Sequence, residues 1–213
     1  MNRWSEKLLV RRIVAGDHEA CVQLIRLHHA PIYRLLVRLC RDTHLAEDLT
    51  QETFAAAWAG MDRFKGSSSL ATWLHRIAYR KLVDARRRRS YQTTDDPAGV
   101  QDQICSHASE PLEAVLAEER GREVYRALGR LDPAHREAIV LHYLQGLSYR
   151  EMAEVLDEPV GTVKGRVSEA LAKLRMVLQE THEHEDKQET NRDISRPGTI
   201  GNGASPAAGA EGA

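Results

Sequence analysis

Residues 147–175, LSYREMAEVLDEPVGTVKGRVSEALAKLR, constrain the fold most because their apolar positions repeat at helical spacing on both sides of a short break. Ser148 followed by Glu151 is a capping box, which predicts that the first helix begins here. The Asp-Glu-Pro sequence at 157–159 predicts the break, and a second helix is expected over 159–178. Two helices joined so closely are typical of a helix-turn-helix.

The side chains of this pair separate into an inward set and an outward set. The expected inward positions are Tyr149, Met152, Ala153 and Leu156 in the first helix and Val163, Val167, Ala170, Leu171, Leu174 and Leu178 in the second. The second helix would then present short polar side chains, as a recognition helix does in a DNA major groove. These outward residues are Thr162, Lys164, Gly165, Ser168 and Glu169. The alternative interpretation is a two-helix fragment of an ordinary helical bundle.

The rest of the chain also has a helical pattern. Its 213 residues are 42% hydrophobic and only 5% aromatic, which favours helices over a β-sandwich. Asp132 and Pro133 predict the start of another helix, which Gly146 would end. We therefore expect an all-α protein with two small helical domains, a flexible acidic linker and a disordered C-terminal tail. The expected bounds are 5–89 and 112–178 for the domains, 90–111 for the linker and 179–213 for the tail.

The net charge of −1 conceals a strong segregation of charge along the chain. Residues 1–89 carry 17 Lys and Arg against 9 Asp and Glu, whereas residues 90–113 carry 5 acidic residues and no Lys or Arg. Residues 179–213 are acidic again, with 7 Asp and Glu against 3 Lys and Arg. The basic first half indicates a negatively charged partner, and the acidic segments would repel DNA from the free protein.

Residues 46–61, AEDLTQETFAAAWAGM, predict a strongly amphipathic helix. Its expected core positions are Ala46, Leu49, Thr50, Thr53, Phe54, Ala57, Trp58 and Met61, and its opposite face carries Glu47, Asp48, Gln51, Glu52 and Ala55. That opposite face fits two interpretations, a solvated acidic surface or a docking surface for another protein.

The next helix, within SSSLATWLHRIAYRKLVDARRRR at 67–89, has two neighbouring stripes. The core stripe is Leu70, Trp73, Leu74, Ile77, Ala78 and Leu82, and the second stripe is Thr72, Arg76, Tyr79, Arg80, Val83 and Arg87. Basic residues with an interleaved aromatic suit phosphate neutralisation and base stacking, which is the chemistry of single-strand binding. The arginine run at 86–89 is weak evidence by itself, because cations are also favoured at helix C-termini.

Three separate stretches together resemble one known family. DLTQETFAAAW, DRFKGSSSLATWLHRIA and residues 131–175 are similar, in order and spacing, to bacterial RNA polymerase sigma factors of the extracytoplasmic-function (ECF) group of the sigma-70 family. The resemblance covers about residues 10–90 and 112–176. It implies a first domain that binds the polymerase clamp helices and melts the minus-ten promoter element. It also implies a second domain that binds the polymerase flap and recognises the minus-thirty-five element.

The resemblance assigns site residues by position. It places Asp48, Gln51 and Glu52 at the clamp; Phe64, Lys65, Ser67, Ser68, Thr72, Arg76, Tyr79 and Arg80 at the minus-ten element; and Thr162, Lys164, Gly165, Arg166, Ser168 and Glu169 at the minus-thirty-five element. The stretch 64–72 matches the loop that captures a flipped base, and its glycine and hydroxyls suit a small polar pocket. Core RNA polymerase, promoter DNA and an anti-sigma factor are the implied partners.

This chain departs from the family pattern at three positions. Arg80 stands where the family often has Asn, Leu70 where it often has Phe, and Glu169 where a basic residue is common. The promoter sequence therefore does not follow from the relatives.

A stand-alone helix-turn-helix regulator is the main alternative function. That class predicts a receiver or ligand-binding domain upstream, and residues 5–89 lack the βαβ alternation of such domains.

An enzyme is the third class, and we expect neither enzymatic activity nor a cofactor. His18, Cys21, His28 and His29 lack a fixed zinc-ligand spacing and are interpreted as a core cysteine among surface histidines. The run HEHEDK in the tail is interpreted as solvated charge. The sequence has no P-loop, identifiable nucleophile or paired catalytic carboxylates.

The N-terminal sequence indicates where the protein is located, and the cysteines indicate whether it forms disulfides. Charges interrupt the N-terminal stretch MNRWSEKLLVRRIV, so no signal peptide is predicted and a cytoplasmic location is expected. Cys21, Cys40 and Cys105 are too few and too widely spaced for a disulfide framework, and the first two are expected in the core.

Overall fold

The described part of the chain is helical in both of its segments. The computed structural model describes residues 3–92 and 119–194, and the all-α prediction is confirmed there, with helices and no strand. The helices are α1 (Arg3–Val14), α2 (His18–Cys40), α3 (Thr43–Ala59), α4 (Leu70–Gln92), α5 (Glu119–Arg130), α6 (Pro133–Ile139), α7 (Tyr149–Leu156) and α8 (Val160–Ile194). A 3₁₀ turn at Met61–Arg63 follows α3, and α6 continues as a π-helical turn over Val140–Leu144.

Helices α1 to α4 form the first domain around one apolar core. Asp17 caps α2 and Asp42 caps α3, each side chain accepting a backbone N–H three residues on. Helix α3 packs between α2 and α4, and α1 closes the bundle against α2. The largest fully buried side chains here are Ile32, Leu35, Leu36, Leu39, Leu49, Met61, Leu70, Leu74 and Leu82. The α4 stripe predicted from the sequence lies in this core, with Trp73 and Ile77 half-buried at its edge.

The predicted core face of α3 is correct except at its end. Thr50 and Thr53 are buried, and their hydroxyls donate to the carbonyls of Ala46 and Leu49 at 2.6 Å. Trp58 is 50% exposed, so its assignment to the core is wrong. Ala57 fills the core position at that level, and the next residue points about 100° away around the helix.

Helices α5 to α8 form the second domain, and its predicted caps are confirmed. The Asp132 side chain caps α6, and Ser148 and Glu151 form the capping box of α7. Gly146 has a φ of +71°, in the left-handed region that glycine favours, and it follows the end of the π-helical turn. Helix α8 packs against α5, α6 and α7.

Helix α8 extends further than the sequence pattern predicted. Its expected end was residue 178, but the helix continues to Ile194. Residues 179–194 contain neither Gly nor Pro, so nothing local terminates the helix at the end of the apolar stripe. The remaining tail, 195–213, and the linker from residue 93 lie outside the described residues.

The two domains pack directly against each other. Helix α4 lies against α7, and α2 lies against α6 and the π-helical turn. At one edge of this contact the Arg41 guanidinium donates to the carbonyl of Gly129 at 3.3 Å. The sequence predicted two linked domains, and their mutual packing emerges only from the structure.

Asp132 is expected to make the second domain sensitive to acid. Its carboxylate accepts from the His135 backbone N–H at 3.2 Å, and it lies 2.6 Å from the His135 ring and 3.3 Å from the Lys173 ammonium. Burial opposes ionisation, but these contacts outweigh it and lower the pKa of Asp132 from 3.8 to about 2. Because the folded pKa is depressed, the contribution is complete above about pH 4 and is lost as the pH falls towards 2.

Asp132→Asn tests this contribution, since asparagine is an equally good N-cap that does not titrate. We expect the variant to be about 1 kcal/mol less stable near neutral pH, allowing for the half-exposed side chain. The difference should shrink as the pH falls below about 4, measured by urea unfolding followed by circular dichroism. A difference that stays constant over this pH range would contradict the assignment.

Candidate nucleic-acid and polymerase interfaces

The outward face of α8 is formed as the sequence predicted. Val163, Val167, Ala170 and Leu174 are buried against the rest of the domain. The side opposite is open, with Thr162, Lys164, Gly165, Ser168 and Glu169 all exposed. This leaves one ridge of short and charged side chains free to enter a groove.

Arg166 differs from the other predicted α8 residues. Its guanidinium pairs with Glu158 at 2.7 Å, and its side chain is 20% exposed. The ion pair holds Arg166 against the turn between α7 and α8. Arg166 therefore supports the angle between the two helices, beside the open ridge.

An aromatic stack lies beneath Lys164. The His142 ring stacks on Tyr149 with centroids 4.7 Å apart, and the Lys164 ammonium lies 5.8 Å from the Tyr149 centroid. The His142 ring also lies 2.8 Å from the carbonyl of Leu147, at the turn before α7. The π-helical turn thus places His142 against Tyr149, and the Tyr149 ring of α7 contacts the lysine of the α8 ridge.

The loop before α4 contains serine hydroxyls and one glycine with a left-handed backbone conformation. Ser69 caps α4, its Oγ accepting from the Thr72 N–H at 3.0 Å. Gly66 has a φ of +69°, which a side chain would strain. Phe64 packs on Trp73 with ring centroids 5.3 Å apart, which anchors the start of the loop. Lys65 and Ser67 are exposed, and Ser68 is half-buried.

The structure brings Thr72, Arg76, Tyr79 and Arg80 together on one side of α4, which we call the α4 face. Thr72 is 2% exposed, Arg76 and Tyr79 are half-buried, and Arg80 is exposed. The first three contact the second domain, through Glu151, Asp157 and Glu137. Arg80 remains in solvent beside them.

The outer side of α3 carries the predicted docking residues. Asp48 and Gln51 are exposed, and Glu52 is half-buried, with an ion pair to Lys81 at 3.1 Å. Trp58 extends this surface, because it lies two helical turns after Gln51 with the exposed Ala55 between them. We call Asp48, Gln51, Ala55 and Trp58 the α3 face.

The cysteines and histidines considered as metal ligands are dispersed. Cys21 is buried, and His18 and His29 are exposed, whereas His28 is half-buried and not at the surface as expected. Cys40 is half-buried, and both cysteines are free thiols. Burial raises the pKa of Cys40 to about 11, so this thiol stays protonated. In the described part of the chain, no three His, Cys, Asp or Glu side chains are grouped to hold a metal ion. Nor is any helix there both long and apolar enough to cross a bilayer.

Comparison with known proteins identifies both domains. Residues 24–91 match the family model for Sigma-70 region 2, and residues 121–174 match that for Sigma-70 region 4. The ECF RNA polymerase sigma factor SigW of Bacillus subtilis is 31% identical over 82% of this chain and 97% of its own length. The ECF RNA polymerase sigma-E factor of Escherichia coli is 32% identical over 78% of this chain and 90% of its own.

This chain belongs to the ECF group of the sigma-70 family. A sigma factor binds core RNA polymerase and directs it to promoters, and this protein accordingly functions in promoter-specific transcription initiation. The match of region 2 to the first domain also excludes the stand-alone regulator, which requires a receiver or ligand-binding domain there.

Solved sigma factors share the fold. RpoE from Bartonella quintana, in complex with the anti-sigma factor NepR, aligns with a TM-score of 0.65 at 28% identity, over 74% of this sigma factor and 95% of that chain. CnrH, in complex with the cytosolic domain of CnrY, aligns with a TM-score of 0.61 at 27% identity, over 82% and 97% of the two chains.

Sequence reasoning missed the acidic residues of this sigma factor that contact the α4 face. Glu137, Glu151 and Asp157 all come from the second domain, 58 or more positions away from their partners on the α4 face. The sequence showed only the local roles of Glu151 in the capping box and of Asp157 in the break after α7. The cross-domain contacts have no local pattern, since charged residues of a helix are ordinarily solvated.

Proposed function

We propose that this sigma factor divides promoter opening and promoter recognition between its two domains, with the expected bounds 5–89 and 112–178. The first domain docks on core polymerase through the α3 face, with Glu52 at its edge. The α4 face and the residues Phe64, Lys65, Ser67 and Ser68 then hold the separated minus-ten strand.

One observation supports the strand-binding role most strongly. The α4 face binds acidic oxygens in this structure, through hydrogen bonds from Thr72 and Tyr79 and an ion pair from Arg76. Phosphate and base oxygens offer the same kind of acceptor to these donors, and the Tyr79 ring offers a stacking surface.

The second domain is proposed to recognise the minus-thirty-five element with α8. Lys164 suits a guanine edge or a phosphate, and Ser168 is short enough to let the helix approach the groove. Glu169 is 73% exposed and lies 3.6 Å from the His135 ring. Its carboxylate suits the amino group of a cytosine, which would give this factor a base preference different from that of relatives with a basic residue there.

The implied partners and setting follow from the relatives. The similar structures of RpoE and CnrH hold an anti-sigma factor and the cytosolic domain of CnrY, respectively. We infer that an anti-sigma factor binds this chain, and that it works in the cytoplasm on stress- or envelope-response promoters. It carries out no catalysis itself.

Arg80→Ala tests the strand-binding proposal without disturbing the fold, because Arg80 is exposed. The variant holoenzyme should open promoters more slowly, measured by permanganate reactivity of unpaired thymines. The salt dependence of open-complex formation should fall by roughly one unit for the lost phosphate contact. Closed-complex binding, which depends on the second domain, should change less.

Arg26→Ala is the matched control, since it removes an equally exposed arginine from α2. It should leave both the opening rate and the salt dependence unchanged. An equal loss of closed-complex and open-complex formation in Arg80→Ala would contradict a specific role in strand separation.

A further inference from the structure

Acidic side chains of the second domain occupy the α4 face. The Thr72 hydroxyl donates to Glu151 at 3.0 Å, and the Tyr79 hydroxyl donates to Glu137 at 2.8 Å. Between them the Arg76 guanidinium lies 3.6 Å from the Asp157 carboxylate. Three successive positions of one helix face thus each meet a carboxylate from the other domain.

Glu137 is the most enclosed of these carboxylates, at 5% exposure. Besides Tyr79 it accepts from the Arg86 guanidinium, whose other amino group donates to the carbonyl of Leu39 at 3.0 Å. These hydrogen bonds to Glu137 all come from the first domain. A buried carboxylate without partners is strongly unfavourable, so Glu137 favours the closed arrangement over a separated one.

The closed arrangement and strand binding exclude each other. A base stacks on Tyr79 only if the ring face is free. A phosphate that approaches the partly exposed Arg76 guanidinium is repelled by the Asp157 carboxylate beside it. Burial and the adjacent Glu137 carboxylate raise the pKa of Tyr79, so its hydroxyl remains a donor to Glu137. The carboxylates and the strand compete for the same donors.

We propose that the second domain inhibits the first in the free protein, with Glu137, Glu151 and Asp157 standing in for the acidic groups of the DNA strand. This inference rests on the proposed strand-binding function of the α4 face. Binding to polymerase must separate the domains before the strand enters, and the cost of separation keeps the unbound factor from binding single-stranded DNA.

Glu137→Gln in the full-length chain tests the inhibition. Glutamine keeps the shape of the side chain but removes the charge that Arg86 requires, so the closed state should be weakened. Hydroxyl-radical footprinting of the free protein should then show Tyr79 modified several-fold faster, while the exposed Tyr143 in the second domain is modified at an unchanged rate.

Binding of a fluorescein-labelled oligothymidylate, followed by anisotropy, gives the functional readout. We expect Glu137→Gln to bind it about tenfold more tightly at equal salt concentration, and a second change, Arg80→Ala, to reverse much of the gain. Glu180→Gln is the matched control, because it removes the same charge from an exposed carboxylate of the same domain that pairs with Arg130.

A second variant tests the same proposal in case Glu137→Gln does not fold. Glu151→Gln with Asp157→Asn keeps the capping box and the left-handed turn residue, while it removes two of the three charges that face α4. It should also expose Tyr79 and strengthen oligothymidylate binding. If Tyr79 of the wild type reacts as fast as the exposed Tyr143, no closed state exists and the inference is wrong. If Tyr79 stays protected in every variant, the three carboxylates do not hold the domains closed, and the inference is wrong as well. If Tyr79 becomes exposed and oligothymidylate binding is unchanged, the domains do close, but the α4 face is not a strand-binding surface and the proposed function fails.

Discussion

Replacing both Asp48 and Gln51 with alanine should weaken binding to core RNA polymerase about a hundredfold, a loss of about 3 kcal/mol typical of central interface residues. Both side chains are exposed on the outer side of α3, and the core face of that helix is fully occupied without them. The change should therefore leave thermal unfolding within about 0.5 kcal/mol of the wild type. Pull-down with core polymerase measures the first effect and calorimetry the second.

Trp58 provides a second test of the α3 face, because it lies on that face and is half exposed. A large aromatic side chain at the centre of an interface contributes through burial, so Trp58→Ala should also weaken polymerase binding strongly. Glu19→Gln is the control, since Glu19 is also an exposed acidic residue of the first domain but lies on α2. Unchanged pull-down in the Asp48 and Gln51 double variant would leave the α3 face as an ordinary solvated surface.

Replacing Arg136 with methionine should destabilise the second domain by about 3 to 5 kcal/mol. The buried guanidinium donates to the carbonyls of Leu128, Gly129 and Leu131 at 3.0 to 3.1 Å. These carbonyls end α5 and begin the turn into α6, where they lack partners within their own helix. Methionine fills similar space but donates none of these three hydrogen bonds. The Leu128 carbonyl keeps the Leu131 N–H and the Gly129 carbonyl keeps the Arg41 guanidinium, whereas the Leu131 carbonyl loses the Arg136 donor. The change also removes a positive charge from a helix C-terminus.

The tryptophans make this effect measurable domain by domain. All three, Trp4, Trp58 and Trp73, lie in the first domain, so their fluorescence reports its unfolding, whereas circular dichroism reports both domains. In Arg136→Met the dichroism transition should move to much lower urea, with a smaller shift of the fluorescence transition. Arg130→Met is the control, because Arg130 is half exposed in an ion pair with Glu180 and should cost under about 1 kcal/mol. Equal stability of the two variants would contradict the role assigned to Arg136.

The helices and their caps follow from the amino-acid sequence. Asp132, Ser148 and Glu151 act on backbone groups within three residues of themselves, so their roles are decided locally. The apolar stripes of α4 and α8 were also predictable, because a helix that repeats apolar residues on one side must bury that side. The exposed ridge of α8 consists of residues that lie outside its apolar stripe, so it was predictable too. The family resemblance rested on these same local patterns and added the partners that they serve.

The enclosed charged residues and the covered surfaces, in contrast, depend on how the helices and domains pack. Arg136 and Glu137 are neighbours in a helix, and nothing near them in the chain indicates that one satisfies the end of α5 and the other binds α4. Thr72 and Glu151 meet across 79 positions. Trp58 is exposed because the packing of α3 leaves its end uncovered. Helical period and capping depend on neighbours within about one turn, whereas these contacts depend on how two domains pack, which no local pattern encodes.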